Sequence, residues 1–223
     1  MSEAAVAETI ARGSPPVPSP LREPWEELPK QREAATFGMW LFLMSEMLFF
    51  GGLFLAFAFS RALNVQAFAA AARETNLAYG GSNTFVLVTS SLTMTLASRA
   101  ADLGRGQLAA RLLAVTAALG VAFLVIKGFE YHDDLEHHLL PGPDFRLHEA
   151  AAQLFFGFYW VMTGVHAVHL ATGVGLTSRL AWLLVRNRIS PATPQIEAAS
   201  LFWHLVDAFW IILFPLLYVA SRA

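Results

Sequence analysis

Seven ionisable side chains stand inside long apolar stretches of this chain: Glu46, Lys127, Glu130, His166, His169, His204 and Asp207. An ionisable group costs about 2.5–3.5 kcal/mol to place at the centre of a membrane helix, so each of these needs a partner or a task. Six of them fall into pairs three residues apart, the spacing that puts two side chains on one helix face. Carboxylates and imidazoles of this kind carry protons or tie helices together. Imidazoles from facing helices also hold haem or metal. Here His166 and His169 point the same way from one helix, whereas an axial haem pair approaches from opposite sides. No catalytic, cofactor-binding or metal site is therefore expected among them. The run His132, Asp133, Asp134, Glu136, His137 and His138 reads as a solvated face rather than a divalent-ion site.

Each group has its own expectation. From Leu41 to Gly52 the sequence offers Glu46 no basic neighbour, so its carboxyl is expected to stay neutral, as a plain hydrogen-bond donor or as a proton relay. Lys127 and Glu130 read as an ion pair near a helix end that lowers the cost of insertion. His204 and Asp207 read as a hydrogen bond that fixes helix packing. Gly51, Gly52, Gly173 and Gly175 would admit the close approach of another helix.

The elements that position these groups follow from composition. Of 223 residues, 56% are hydrophobic and 14% charged, against about 25% charged in an ordinary soluble domain. The fold class is all-α and membrane-embedded. Absence of cysteine removes disulfides, thiolate metal sites and cysteine nucleophiles. A net charge of −2 gives no surplus for phosphates, so nucleic acid is not an expected partner. Crossing ~30 Å of hydrocarbon takes ~20 helical residues. Five segments qualify: residues 37–63, 82–101, 109–131, 152–177 and 199–220, the last kinked at Pro215. They form one transmembrane domain, 37–223, without internal repeats. Residues 1–36 hold six of the eleven prolines and read as an extended arm, with no cleaved signal.

Basic residues set the expected orientation. Arg12, Arg22, Lys30, Arg32, Arg99, Arg105, Arg111, Arg179, Arg186 and Arg188 fall on one side, against Arg61, Arg73, Arg146 and Arg222 on the other. An N-inside, C-outside chain follows. Counting along the helices puts His204 at ~8 Å, His166 at ~9 Å, Asp207 at ~12 Å and Glu46 at ~14 Å from the inner face, with His169 closer than His166. Glu46, His166, His169, His204 and Asp207 are accordingly expected to form one buried polar cluster, serving proton uptake, lipid binding or packing.

In this order the chain carries Ser45-Glu46 within Trp40–Phe50, Ser82-Asn83-Thr84, Phe129-Glu130-Tyr131, Thr163-Gly164-Val165-His166-Ala167-Val168-His169 and Phe202-Trp203-His204-Leu205-Val206-Asp207. The ordered set resembles subunit III of the haem–copper oxidases, in a five-helix bacterial form, and covers essentially every span. The resemblance implies a non-catalytic subunit of a proton-pumping terminal oxidase that reduces dioxygen to water. It further implies haem and copper in partner subunits and none in this chain, bound phospholipid, and a place in the bacterial cell membrane. Subunit I, subunit II and a small subunit IV are the implied partners. The implied roles are stabilising subunit I and supporting proton uptake, and Glu46 matches the family's carbodiimide-reactive glutamate. Two departures stand out: many members have seven helices, and Lys127 replaces a usual Gln. The lysine resembles relatives associated with quinol oxidases or nitric oxide reductases. A small proton-coupled transporter and a haem-carrying electron-transfer protein are the alternatives of other classes.

Overall fold

A computed structural model describes residues 28–220 apart from 148 and 192. The extended arm expected over 1–36 lies outside the described residues as far as residue 27, and residues 28–36 are helical. Two compact units are distinguished, Met1–Leu41 and Phe42–Ala223. In the first, the described residues are the opening turns of α1, Leu28–Leu63.

The second unit continues α1 and adds α2 (Val65–Glu74), α3 (Leu77–Asp102), α4 (Gly106–Glu136), α5 (Ala150–Val185) and α6 (Pro194–Phe214). A five-residue π-helical segment, Pro215–Val219, extends α6. Six α-helices are thus present among the described residues, where the sequence led to five. The addition is α2, whose 10 residues span only about 15 Å, too short to cross a membrane. Its apolar face of Ala67, Phe68, Ala71 and Ala72 is buried, and α2 packs on α5.

Among the described residues four helices are long and apolar enough to cross: Thr36–Leu63, Gly106–Glu136, Ala150–Val185 and Pro194–Val219. The remaining expected span, 82–101, lies in α3. That helix has the length, at 26 residues, but Ser82, Asn83, Thr84, Thr89, Ser90, Ser91, Thr93, Thr95 and Ser98 make it much less apolar. Several of these hydroxyls donate to the carbonyl one turn back, as Thr84 does to Gly80 at 2.8 Å and Thr89 to Phe85 at 2.8 Å. Such back-bonding satisfies a hydroxyl without water. Gly104, at φ 70°, turns the chain from α3 into α4.

Within the second unit α3, α4, α5 and α6 form a ring of neighbours, α3 on α4, α4 on α5, α5 on α6 and α6 on α3. Trp203 of α6 is wedged between two glycines that leave room for its indole. A Cβ on Gly120 would meet Trp203 at 2.9 Å and Val174 at 2.6 Å, and one on Gly173 would meet Trp203 at 3.1 Å. Gly51, Gly52 and Gly175 have nothing within 4 Å of such a Cβ, so of the four glycines expected to admit a helix only Gly173 does so. The Trp203 Nε1–H donates to Ser90 Oγ at 3.1 Å, and the Trp210 Nε1–H to Thr84 Oγ1 at 3.0 Å.

From Phe42 onward α1 is attached through side chains. Phe50 stacks on Phe209 with centroids 4.0 Å apart, and Phe57 packs against Phe68, Phe155 and Phe158. Arg61 in its last turn donates to the Ala220 carbonyl. Of the four spans α1 buries the smallest share, 17% against 39–56% for the others.

Candidate functional site

Most of the polar residues inside the spans fall into three groups, each joining different elements. In the first, α1 brings Glu46 to α5, where Glu46 Oε2 lies 2.9 Å from His169 Nε2. His169 Nδ1 lies 2.9 Å from the Val165 carbonyl oxygen of the preceding turn. A carbonyl only accepts, so Nδ1 carries a proton. Nε2 then either accepts from a neutral carboxyl or, in an imidazolium, donates to a carboxylate. In both cases one proton is shared between the two residues and the pair is neutral overall. Phe50 stands edge-on to the His169 ring at 5.4 Å, and Phe202 stacks on it at 6.5 Å. The partner missing from the neighbourhood of Glu46 in sequence thus comes from a helix 123 residues away.

His166 is separate. It is fully buried, neither ring nitrogen has a hydrogen-bond partner, and its ring lies 5.1 Å from Trp210 and 5.5 Å from Phe123.

A second group joins α6 to α3. His204 Nδ1 meets Ser91 Oγ at 2.9 Å, and its Nε2 is 3.4 Å from Thr95 Oγ1. Asp207, one turn further, is buried, with Ser91 of α3 as the neighbouring hydroxyl. The anticipated His204–Asp207 hydrogen bond is absent because His204 turns to α3 instead. The five residues expected to make one cluster are therefore distributed over separate contacts.

The third group is larger than its two expected members. Lys127 and Glu130 pair at 3.0 Å with side chains only 2% and 1% exposed, so the lysine does not reach out to the membrane surface. Its Nζ also donates to Tyr159 at 2.9 Å and Tyr218 at 2.7 Å. With Glu130 these use all three N–H donors of an ammonium. Tyr218 donates to Glu130 Oε1 at 2.6 Å, and Tyr159 to Asp134 Oδ2 at 2.7 Å. Nearby, Tyr131 and Thr163 hydroxyls meet at 2.7 Å.

Asp134 and Glu130 also line a cavity of about 230 Å³ with Glu74, Tyr79, Asp133 and Arg146. At its edge Tyr79 donates to Asp133 at 2.8 Å, and Arg146 pairs with Glu74 at 3.3 Å. Asp134 was open to detection, since it follows Glu130 by four residues and Lys127 by seven on one face. Tyr159 and Tyr218 gave no such signal.

The run from His132 to His138 is mostly the end of α4, not a loop. His132 faces Glu136 at 3.4 Å and His137 Nδ1 bonds the Asp133 carbonyl. Among the described residues no three His, Asp or Glu side chains are placed together to hold a metal ion. What the polar groups can do is hold protons at fixed places and tie α1 to α5, α3 to α6, and α4 to α5 and the π-helical end.

Comparison with known proteins bears on this arrangement as a whole. The family model described as cytochrome c oxidase subunit III matches residues 29–222. Cytochrome c oxidase subunit 3 of Thermostichus vulcanus is 32% identical over 187 residues, which cover 83% of this chain and 87% of that protein. Cytochrome c oxidase subunit 3 of Corynebacterium diphtheriae is 32% identical over 189 residues, 81% of this chain and 85% of that protein. A heme-copper oxidase subunit I+III of Aeropyrum pernix is 29% identical over 203 residues, 87% of this chain but 24% of that longer protein.

Proposed function

The chain belongs to the cytochrome c oxidase subunit III family, a multi-pass membrane subunit of a haem–copper oxidase, and from that premise we propose how it serves the enzyme. It is a non-catalytic subunit. It sits against catalytic subunit I in a bacterial cell membrane, stabilises that subunit through turnover and supports proton uptake from the inner side. Subunit II and a small subunit IV complete the complex, haem and copper reside outside this chain, and phospholipid fills the space left beside α1. The fusion of subunits I and III in the Aeropyrum pernix relative supports a permanent neighbour relation with subunit I.

We further read α3 as a fifth crossing, which places the N-terminus inside and the C-terminus outside. Its Ser and Thr hydroxyls bond to its own carbonyls and to α4 and α6, and that self-satisfaction makes burial in a membrane affordable. The observation that carries the proton-uptake reading is the Glu46–His169 pair. It holds one shared proton in an otherwise aromatic setting, and its side chains are 18% and 20% exposed.

The test is to purify the complex through a tag on this chain and record its reduced-minus-oxidised spectrum with oxygen consumption. A haem–copper signature with oxygen reduction supports the reading, and oxygen reduction that outlasts many turnovers only when this chain is retained supports its stabilising role. Glu46→Gln should slow proton uptake while leaving the spectrum unchanged. A purified chain without haem-bearing partners in mild detergent would sink it.

A further inference from the structure

Taken with Asp134, the buried cage around Lys127 holds one ammonium and two carboxyls, and Lys127, Glu130 and Asp134 are 2%, 1% and 6% exposed. Two carboxylates against one ammonium leave a net negative charge out of water, which is costly. A proton bound to one carboxyl removes that charge. The hydrogen bonds show where it fits. Lys127 uses its three N–H groups on Glu130 Oε2, Tyr159 and Tyr218, and Tyr218 donates to Glu130 Oε1. Glu130 thus has a donor on each oxygen, one of them the ammonium, the pattern of a carboxylate in its ionised form.

The Tyr159 hydroxyl has one proton and two acceptors, Asp134 Oδ2 at 2.7 Å and Glu130 Oε1 at 3.0 Å. Two arrangements therefore share the same heavy-atom positions. With Asp134 ionised, the phenol donates to Oδ2. With a proton on Oδ2, Asp134 donates to the phenol oxygen and the phenol turns its own proton to Glu130.

Asp134 also belongs to the cavity of about 230 Å³, whose other titratable walls are Glu74 of α2, Tyr79 of α3, Glu130, Asp133 and His137 of α4, and Arg146. These walls are engaged with one another or with the cage. Tyr79 donates to Asp133 at 2.8 Å, Arg146 pairs with Glu74 at 3.3 Å, and His137 Nδ1 bonds the Asp133 carbonyl at 2.7 Å. The Arg146 and Glu74 side chains are 49% and 32% exposed, so the polar wall continues to the surface. Asp134 stands two residues before Glu136, the last of α4, which puts it at an end of that helix and away from mid-membrane.

We propose that Asp134 is a proton-binding site that exchanges with water at this end of the chain, with Tyr159 relaying its state to the buried Lys127–Glu130 pair. A hydronium ion in the cavity gives its proton to the carboxylate, forming one O–H bond on Asp134 and leaving neutral water, and release is the reverse. Each uptake turns the Tyr159 proton from Asp134 to Glu130, within the contact that ties α4 to α5 and the π-helical end. The five-crossing reading puts this site on the outer side, whereas Glu46 lies in the inner half. The site itself rests on the cage and the cavity, whichever side they face.

The measurement is infrared difference spectroscopy of the purified complex, mildly acidic minus mildly alkaline buffer, in H2O and in D2O. The C=O band of a protonated carboxyl should appear on the acidic side and move to lower frequency in D2O. It should move again when the protein is made with aspartate carrying carbon-13 in its side-chain carboxyl. Asp134→Asn should remove this band, and Glu46→Gln should leave it. Tyr159→Phe should keep the band but shift its frequency, because the Asp134 O–H loses its acceptor. The isotope shift is read on the unaltered protein and so stands if a variant fails to assemble.

Absence of any titrating carboxyl band that responds to the aspartate isotope overturns the proposal. So does a band that persists in an assembled Asp134→Asn complex, that ignores D2O, or that keeps its frequency in an assembled Tyr159→Phe complex. Loss of the band in Glu46→Gln assigns the proton to that carboxyl and overturns the proposal as well.

Discussion

Lys127 sits in a cage that a charged side chain tolerates only because every donor is used. Its neighbours are Glu130, Tyr159 and Tyr218, and its Nζ also lies 4.5 Å from the Tyr159 ring centroid. Removing one partner of a buried ion pair leaves the other uncompensated, which costs about 3–5 kcal/mol. Lys127→Met should therefore sharply lower the temperature at which this subunit dissociates or unfolds in detergent. Lys127→Met with Glu130→Gln should recover most of that loss, and equal damage from the two variants would contradict the cage. Glu46 differs in kind, being 18% exposed where Glu130 is 1%. Treatment with a hydrophobic carbodiimide, followed by peptide mass spectrometry, should place adducts on Glu46 and leave Glu130 unmodified. Legibility in the sequence followed charge. An ionisable group in an apolar run announces itself, so Glu46, Lys127, Glu130, His169 and His204 were visible at once. Their partners Tyr159, Tyr218 and Ser91 were not, because neutral hydroxyls are common in membrane helices and only three-dimensional packing selects among them.

At the scale of the elements, the existence of long apolar helices was readable, since hydrophobic length is a one-dimensional property, but their ends were not: α5 runs on to Val185 and α4 to Glu136, beyond the apolar stretches read to 177 and 131. The glycines were not, because what meets a glycine belongs to another helix. Gly120, unremarked in the sequence, accommodates Trp203, whereas Gly51 and Gly52 face open space. Gly120→Ala should destabilise the α4–α5–α6 contact by about 1–3 kcal/mol, as overpacking does. Gly51→Ala should be neutral or stabilise α1 by up to about 1 kcal/mol through helix propensity. Thermal unfolding of the two variants side by side checks the contrast, and a reversed order would mean that Trp203 can repack. The short α2 was also missed, because ten amphipathic residues between two spans resemble an ordinary connection until α5 is there to cover their apolar face.

For the whole molecule, the crossing of α3 decides a parity. With five crossings the termini emerge on opposite sides, and with four they emerge on the same side. Reporter fusions active on only one side of the membrane, attached at the N-terminus and at the C-terminus, should give opposite signals, and like signals would remove α3 from the count. The seam at Pro215 carries a different consequence. The chain leaves α6 in wider π-helical turns through Pro215–Val219, and Tyr218 reaches Lys127 and Glu130 from within that segment. A π segment is the mark of one residue added to an α-helix. Wound as an ordinary α-helix at about 100° per residue, the same residues would carry Tyr218 some tens of degrees further round, away from the cage. The terminal turn therefore acts as a vernier: its winding, more than its composition, aims the phenol that closes the ring around the buried lysine.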